Sequence, residues 1–149
     1  MRAYIHKVQY YETDKMGITH HSNYIRWMEE ARVDFLEQLG WGYAKLEEAG
    51  VISPVTAIDC KYRASTRFMD EIQIWVSVEE FKGVKLLLKY EMTKRSDHTI
   101  VCTGHSEHCF LDGNGYIVRI KKEYPEFYQV LMDLVNQNAK EPMRHFLDQ

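Results

Sequence analysis

The sequence predicts an α+β fold in which one long helix lies across the covered face of an antiparallel sheet. Three observations carry this. Apolar residues recur at helical spacing over one long run, at Tyr24, Trp27, Met28, Ala31, Phe35 and Leu39. From Ile58 onward the period changes to two, with apolar and polar residues alternating through several segments. The order is strand, long helix, then a run of strands, which keeps helix and sheet apart along the chain.

Each element follows from local chemistry. Ala3 to Tyr11 is rich in Tyr, Ile and Val and reads as a strand. Glu12 to Gly17 is polar and reads as a loop. The helix runs from Asn23 to Leu39, roughly 25 Å at about 1.5 Å per residue. Ser22 or Asn23 is placed to cap it, and Gly40 to stop it. Its remaining face carries Glu29, Glu30, Arg32, Asp34 and Glu37. A short second helix covers Tyr43 to Ala49, closed by Gly50. Strands follow at Ile58 to Tyr62, Ile72 to Val78 and Leu86 to Met92, and a longer one at Thr99 to Leu111. Asp112-Gly113-Asn114-Gly115 is a tight turn into a short last strand, Tyr116 to Val118. From Glu123 onward, Phe127, Leu131, Leu134 and Val135 mark a terminal helix.

The 149 residues suit a single domain, 1–149, long enough to bury a core without staples. A content of 45% hydrophobic and 28% charged residues excludes a disordered chain. A formal net charge of -3 argues against nucleic acid as a partner. The opening MRAYIHKVQY has no apolar segment of a secretory signal, and no run approaches transmembrane length. Cys60, Cys102 and Cys109 form no Cys-x-x-Cys pair and fit reduced thiols. A cytoplasmic location is expected.

The chemistry concentrates between Tyr11 and Arg32, YETDKMGITHHSNYIRWMEEAR. Asp14 sits in a glycine-containing loop just before a helix N-terminus, and His20 and His21 sit at that terminus. A helix start presents unpaired N–H groups and partial positive charge, suited to an anion or a polarised carbonyl. A carboxylate beside it can act as nucleophile or general base. The same Asp can equally be a turn or capping residue. His20, His21, His105 and His108 show no zinc-ligand spacing, so no metal is expected.

This segment resembles the signature of the 4-hydroxybenzoyl-CoA thioesterase family and its tol-pal-associated acyl-CoA thioesterase relatives. That signature has a Thr-Asp or Cys-Asp pair, two residues, Gly, a hydrophobic pair, an aromatic or His pair, Asn-Tyr, then a helix with an aromatic, Glu, Ala and Arg. The matching residues are Thr13, Asp14, Gly17, Ile18, His21, Asn23, Tyr24, Trp27, Glu29, Ala31 and Arg32, with Phe35 to Gly40 fitting the helix end.

The resemblance implies a hotdog fold, a curved antiparallel sheet around one long helix, and hydrolysis of an acyl-CoA to free acid and coenzyme A. It implies Asp14 as the catalytic carboxylate, with His21 beside the reaction centre and its backbone N–H on the thioester oxygen. Gly17 lets the loop turn, and His20 and Tyr24 line the pocket. Basic residues rim the site for the phosphates of coenzyme A, Arg63 and Lys82 foremost, with Arg67, Lys85, Arg119, Lys121 and Lys122 as further candidates. No cofactor is implied, since coenzyme A is part of the substrate. The family builds its sites between protomers, so a homo-oligomer is implied, a dimer or a tetramer. Relatives often have a proline where this chain has Ala64-Ser65-Thr66. Two alternative functions are an acyl-thioester hydratase or dehydratase, and an acyl-CoA-binding protein without catalysis.

Overall fold

The computed structural model describes residues 1–140; the last nine positions of the 1–149 assignment lie outside the described residues. Five antiparallel strands form one sheet in the order β1-β3-β4-β5-β2. They are β1 Tyr4–Lys7, β2 Val55–Tyr62, β3 Glu71–Phe81, β4 Leu86–Lys94 and β5 Ile100–His108. The helices are α1 Ser22–Gln38, α2 Tyr43–Glu48, α3 Ile120–Glu123 and α4 Pro125–Lys140. This is the hotdog arrangement expected from the sequence.

The period-two pattern sets which face is buried. Ile72, Ile74 and Val78 of β3 and Leu88, Tyr90 and Met92 of β4 are all buried and share one face. Trp27, Met28, Ala31 and Phe35 of α1 are buried against it. Burial of each large side chain contributes about 1.5–3 kcal/mol. Gly104 of β5 makes the close approach possible. A Cβ there would collide with the Met28 methyl and with the backbone carbonyl of Asp59. β1 pairs only with Glu71 to Ile74, and α4 packs along the rest of β3, burying Phe127 and Leu131.

Several boundaries differ from expectation. The first strand stops at Lys7, because Tyr10–Glu12 turns into a 3-10 helix that draws the Glu12 side chain inward. Neither Ser22 nor Asn23 caps α1. His21 is the capping position and has helical backbone angles, while the Asn23 amide reaches back to the carbonyls of Glu12 and His20. Tyr116 to Val118 forms no strand; Ile117 makes one bridge to Leu111, and the chain then enters α3. Arg32, on the helix face outside the apolar stripe, is buried. Its guanidinium pairs with Glu29 at 2.9 Å, the i,i+3 contact their spacing allows, and lies over the Tyr43 ring.

Candidate active site

Asp14 is held by a loop whose two ends touch. The His20 N–H donates to the Glu12 carbonyl at 2.8 Å, and Thr13 bridges Thr19. Inside that ring the Asp14 N–H donates to Ile18 O and the Gly17 N–H to Asp14 O, each at 2.9 Å. Gly17 has a φ of +79°, a left-handed conformation that glycine adopts without a Cβ penalty. The Met16 N–H donates to Asp14 Oδ1 at 2.8 Å. The turn role open to this Asp is therefore real, and it engages one oxygen only. Among the described residues no hydrogen bond reaches Oδ2.

The start of α1 lies directly after this loop. The His20 N–H is occupied by Glu12. The next one, of His21, meets no acceptor among the described residues. The His20 ring bonds Ser22 Oγ through Nδ1 at 2.8 Å and stacks on His21 with centroids 4.3 Å apart. Tyr62, at the end of β2, donates its hydroxyl to His21 O at 3.2 Å.

A cavity of about 480 Å³ opens here, lined by Ile18, Thr19, His21, Tyr24, Tyr62, Arg63, Ala64 and Ser65. The fold thus brings His21, Tyr24 and Arg63 to one pocket; Asp14, Gly17 and His20 are not among its lining residues, and Asp14 joins it through the bond from its N–H to Ile18 O. Its floor is braced by Thr66, which is buried. Thr66 Oγ1 lies 2.6 Å from Thr19 Oγ1 and 3.0 Å from the Tyr24 hydroxyl, and its carbonyl accepts the Thr19 N–H. The Ala64-Ser65-Thr66 stretch is thereby bolted to the Asp14 loop. Burial raises Tyr24 above its ordinary pKa against the opposing hydrogen bond with Thr66. Burial and the neighbouring Cys60 thiol hold Tyr62 up to about 12. Both phenols stay neutral near pH 7.

Arg67 lies over the loop, its Nη1 3.8 Å from where a Cβ on Gly17 would stand. Lys82 is elsewhere. It lines a second cleft of about 440 Å³ with Gly83, Val84, Arg119, Lys121 and Lys122, at the β3–β4 hairpin. That end is separated from Asp14 by the 11 residues of β3, roughly 35 Å at about 3.3 Å per residue.

The sequence did not single out Glu12, His6, Thr66 or Tyr62. Glu12 is buried, its Oε1 accepting from Gln9 N–H and facing His6 Nε2, each at 2.8 Å, and its Oε2 accepting from Trp27 Nε1 at 2.7 Å. Burial alone would raise this carboxyl. The hydrogen bonds from Gln9, His6 and Trp27 outweigh it and hold the group below its ordinary value. The one available sequence signal was position, two residues before Asp14.

Residues 8–138 match the thioesterase-like superfamily. An Aquifex aeolicus protein provisionally named an esterase is 35% identical over 123 residues, covering 83% of this chain and 94% of its own. The Bacillus subtilis protein YneP, provisionally named an acyl-CoA thioesterase, is 28% identical over 122 residues, 82% of this chain and 88% of its own. Among solved structures, the DHNA-CoA thioesterase from Staphylococcus aureus superposes with a TM-score of 0.87 at 28% identity, covering 93% of each chain. A match that spans most of the chain, together with the helix-on-sheet fold, makes this protein a member of the thioesterase-like hotdog superfamily.

Proposed function

We propose that the chain is an acyl-CoA thioesterase: acyl-CoA and water give the free acid and coenzyme A, with Asp14 as the catalytic carboxylate. The observation that carries this is the Asp14 loop closed against the start of α1. The reading is supported by the loop that carries Asp14 reaching the pocket through Ile18, where the open N–H of His21 also stands. Oδ1 is anchored by Met16, so Oδ2 is the oxygen that acts. It either attacks the thioester carbonyl or removes a proton from the attacking water. The His21 N–H takes the developing oxyanion, where a positioned donor is worth about 10²–10³ in rate. The His21 ring lies at the reaction centre, Tyr24 forms the pocket wall with His20 at its rim, and Gly17 sets the turn. The reaction needs no cofactor.

The finer family reading places the chain with the 4-hydroxybenzoyl-CoA and tol-pal-associated thioesterases, supported by the match from Thr13 to Arg32. The active form is a homo-oligomer, dimer or tetramer. Exposed Val55, Ile58 and Tyr62 on edge strand β2 support this, as do exposed Tyr10, Tyr11, Met16, Phe68 and Met69 around the loop. Within one chain Lys82 cannot reach the ligand at Asp14. Its role toward the phosphates of coenzyme A therefore requires the Lys82 of a second copy, while Arg63 serves from the same chain. A cytoplasmic location is supported by three free thiols, and no helix of the described residues is long and apolar enough to cross a membrane.

The test is release of coenzyme A thiol from a panel of aromatic, short-chain and long-chain acyl-CoAs. Turnover of at least one class is expected. Tight binding of the panel without any thiol release would instead mark an acyl-CoA-binding protein. An ¹⁸O label on Asp14 after single turnover in H₂¹⁸O and digestion marks it as the nucleophile, because only a mixed anhydride opened at the aspartyl carbonyl carries water oxygen into the side chain.

A further inference from the structure

We propose that Glu12 is a positioning residue for Asp14, its buried carboxylate tying the catalytic loop to α1 and β1. The inference rests on the reading of Asp14 above and adds a residue that does not touch the substrate.

Glu12 fixes the loop twice. Its backbone carbonyl accepts the His20 N–H at 2.8 Å and the Asn23 amide at 3.0 Å, which joins the entry of the loop to its exit. Its side chain accepts from Trp27 Nε1 on α1 and meets His6 Nε2 on β1. His6 continues the chain: its Nδ1 lies 2.9 Å from Glu30 Oε2, which also accepts the Tyr4 hydroxyl at 3.3 Å. The His6 ring packs on Trp27 with centroids 4.6 Å apart. One carboxylate thus connects β1, the 3-10 turn and α1 directly before Asp14. On its far side the loop is held by Thr66 through Thr19. Between these two anchors lie exposed Lys15, Met16 and Gly17 and the half-buried Asp14.

The carboxylate matters because two fixed donors meet its two oxygens, the Gln9 N–H on Oε1 and the Trp27 Nε1–H on Oε2. A glutamine has the same size and can accept from Gln9, but its amide then turns a donor toward Trp27 Nε1. A donor then meets a donor in a buried place, and the turn must shift. A displacement of about 1 Å at a reacting group lowers rates on the order of 100-fold.

The experiment compares Glu12→Gln, Trp27→Phe and the double variant with the wild-type chain. The kcat values are normalised to folded protein that binds coenzyme A. Glu12→Gln is expected to lose about 10- to 100-fold in kcat with KM changed less than about threefold. Adding Trp27→Phe removes the opposing donor, so the double variant is expected to recover several-fold over Glu12→Gln. A purely structural role predicts the reverse, a less stable double variant with no recovery. If Glu12→Gln does not fold, Trp27→Phe alone decides, with an expected loss of about five-fold in kcat for one lost hydrogen bond.

Amide exchange at Met16 and His20 gives a reading independent of turnover. Protection is expected to fall in Glu12→Gln. An unchanged kcat, or unchanged protection at these amides, overturns the inference. A wild-type chain that hydrolyses no acyl-CoA, yet loses protection on Glu12→Gln, overturns the function and leaves the anchoring in place.

Discussion

The His20 N–H donates to the Glu12 carbonyl at 2.8 Å, so the eight-residue advance from Glu12 to His20 returns the chain to its starting point. The loop is a closed ring seated on the start of α1, and this is what gives Asp14 a defined place although it is only half-buried. A carboxylate on an open loop would sample many positions, and ordering it at each turnover would raise the barrier.

Gly17 is the conformational hinge of that ring. Its φ of +79° penalises any side chain, while the space around it is adequate, the nearest atom to a Cβ being Arg67 Nη1 at 3.8 Å. Gly17→Ala is therefore expected to act through the backbone. It should destabilise the fold by about 1–2 kcal/mol and lower kcat more than tenfold as the turn relaxes. Urea unfolding and steady-state kinetics on the same preparation check this; unchanged values in both would show that the turn tolerates a different conformation.

The interior predicts an acid-sensitive stability. His108 is fully buried, with Ser106 Oγ 2.6 Å from Nε2. Burial first, and the Arg32 charge second, lower it from 6.5 to about 4. Between those values the unfolded chain binds a proton that the folded chain does not. The stability from keeping His108 neutral is thus complete above 6.5 and is lost as pH falls through the window to about 4. The loss is on the order of 3 kcal/mol across the window. Urea unfolding between pH 7.5 and 5 should show about 2 kcal/mol of it, above the range in which Glu12 protonates. His108→Gln should flatten the profile; an identical slope in the variant would assign the effect to another group.

Two thiols beside the pocket should differ sharply in reactivity. Cys60 and Cys102 face each other across β2 and β5 with sulfurs 3.1 Å apart. The hydrogen bond from Cys102 lowers Cys60 to about 7, against the opposing effect of its partial burial, and the same contact together with burial pushes Cys102 up. Iodoacetamide should label Cys60 at a rate that rises with a midpoint near pH 7, and leave Cys102 unmodified in the folded chain. Cys102→Ala removes the donor and is expected to move that midpoint upward. Peptide mapping by mass spectrometry reads both outcomes.

The parts legible in the sequence are those set by local period and by one dense motif. The stripe from Tyr24 to Phe35 identified α1, and alternation identified β3 and β4, because both patterns reflect which face meets the core. The Asp14 loop was legible through Gly17 and the residues matching a known signature. What was not legible depends on distant groups. Glu12 reads as a loop residue until His6 and Trp27, from two other elements, converge on it. Arg32 stands outside the apolar stripe, and its burial is legible only where Glu29 and Tyr43 enclose its charge. The first strand is cut short by the turn that buries Glu12. The separation of Lys82 from Asp14 follows from the length and direction of β3, which spacing along the chain does not reveal.

The account rests most heavily on Asp14, and Asp14→Asn tests it most directly. The substitution keeps the Oδ1 acceptor for the Met16 N–H, and replaces the reactive Oδ2 with an uncharged amide nitrogen. With the best acyl-CoA from the panel, kcat is expected to fall by at least about 100-fold, while acyl-CoA binding by calorimetry stays within about threefold. Turnover equal to the wild-type chain would contradict the assignment.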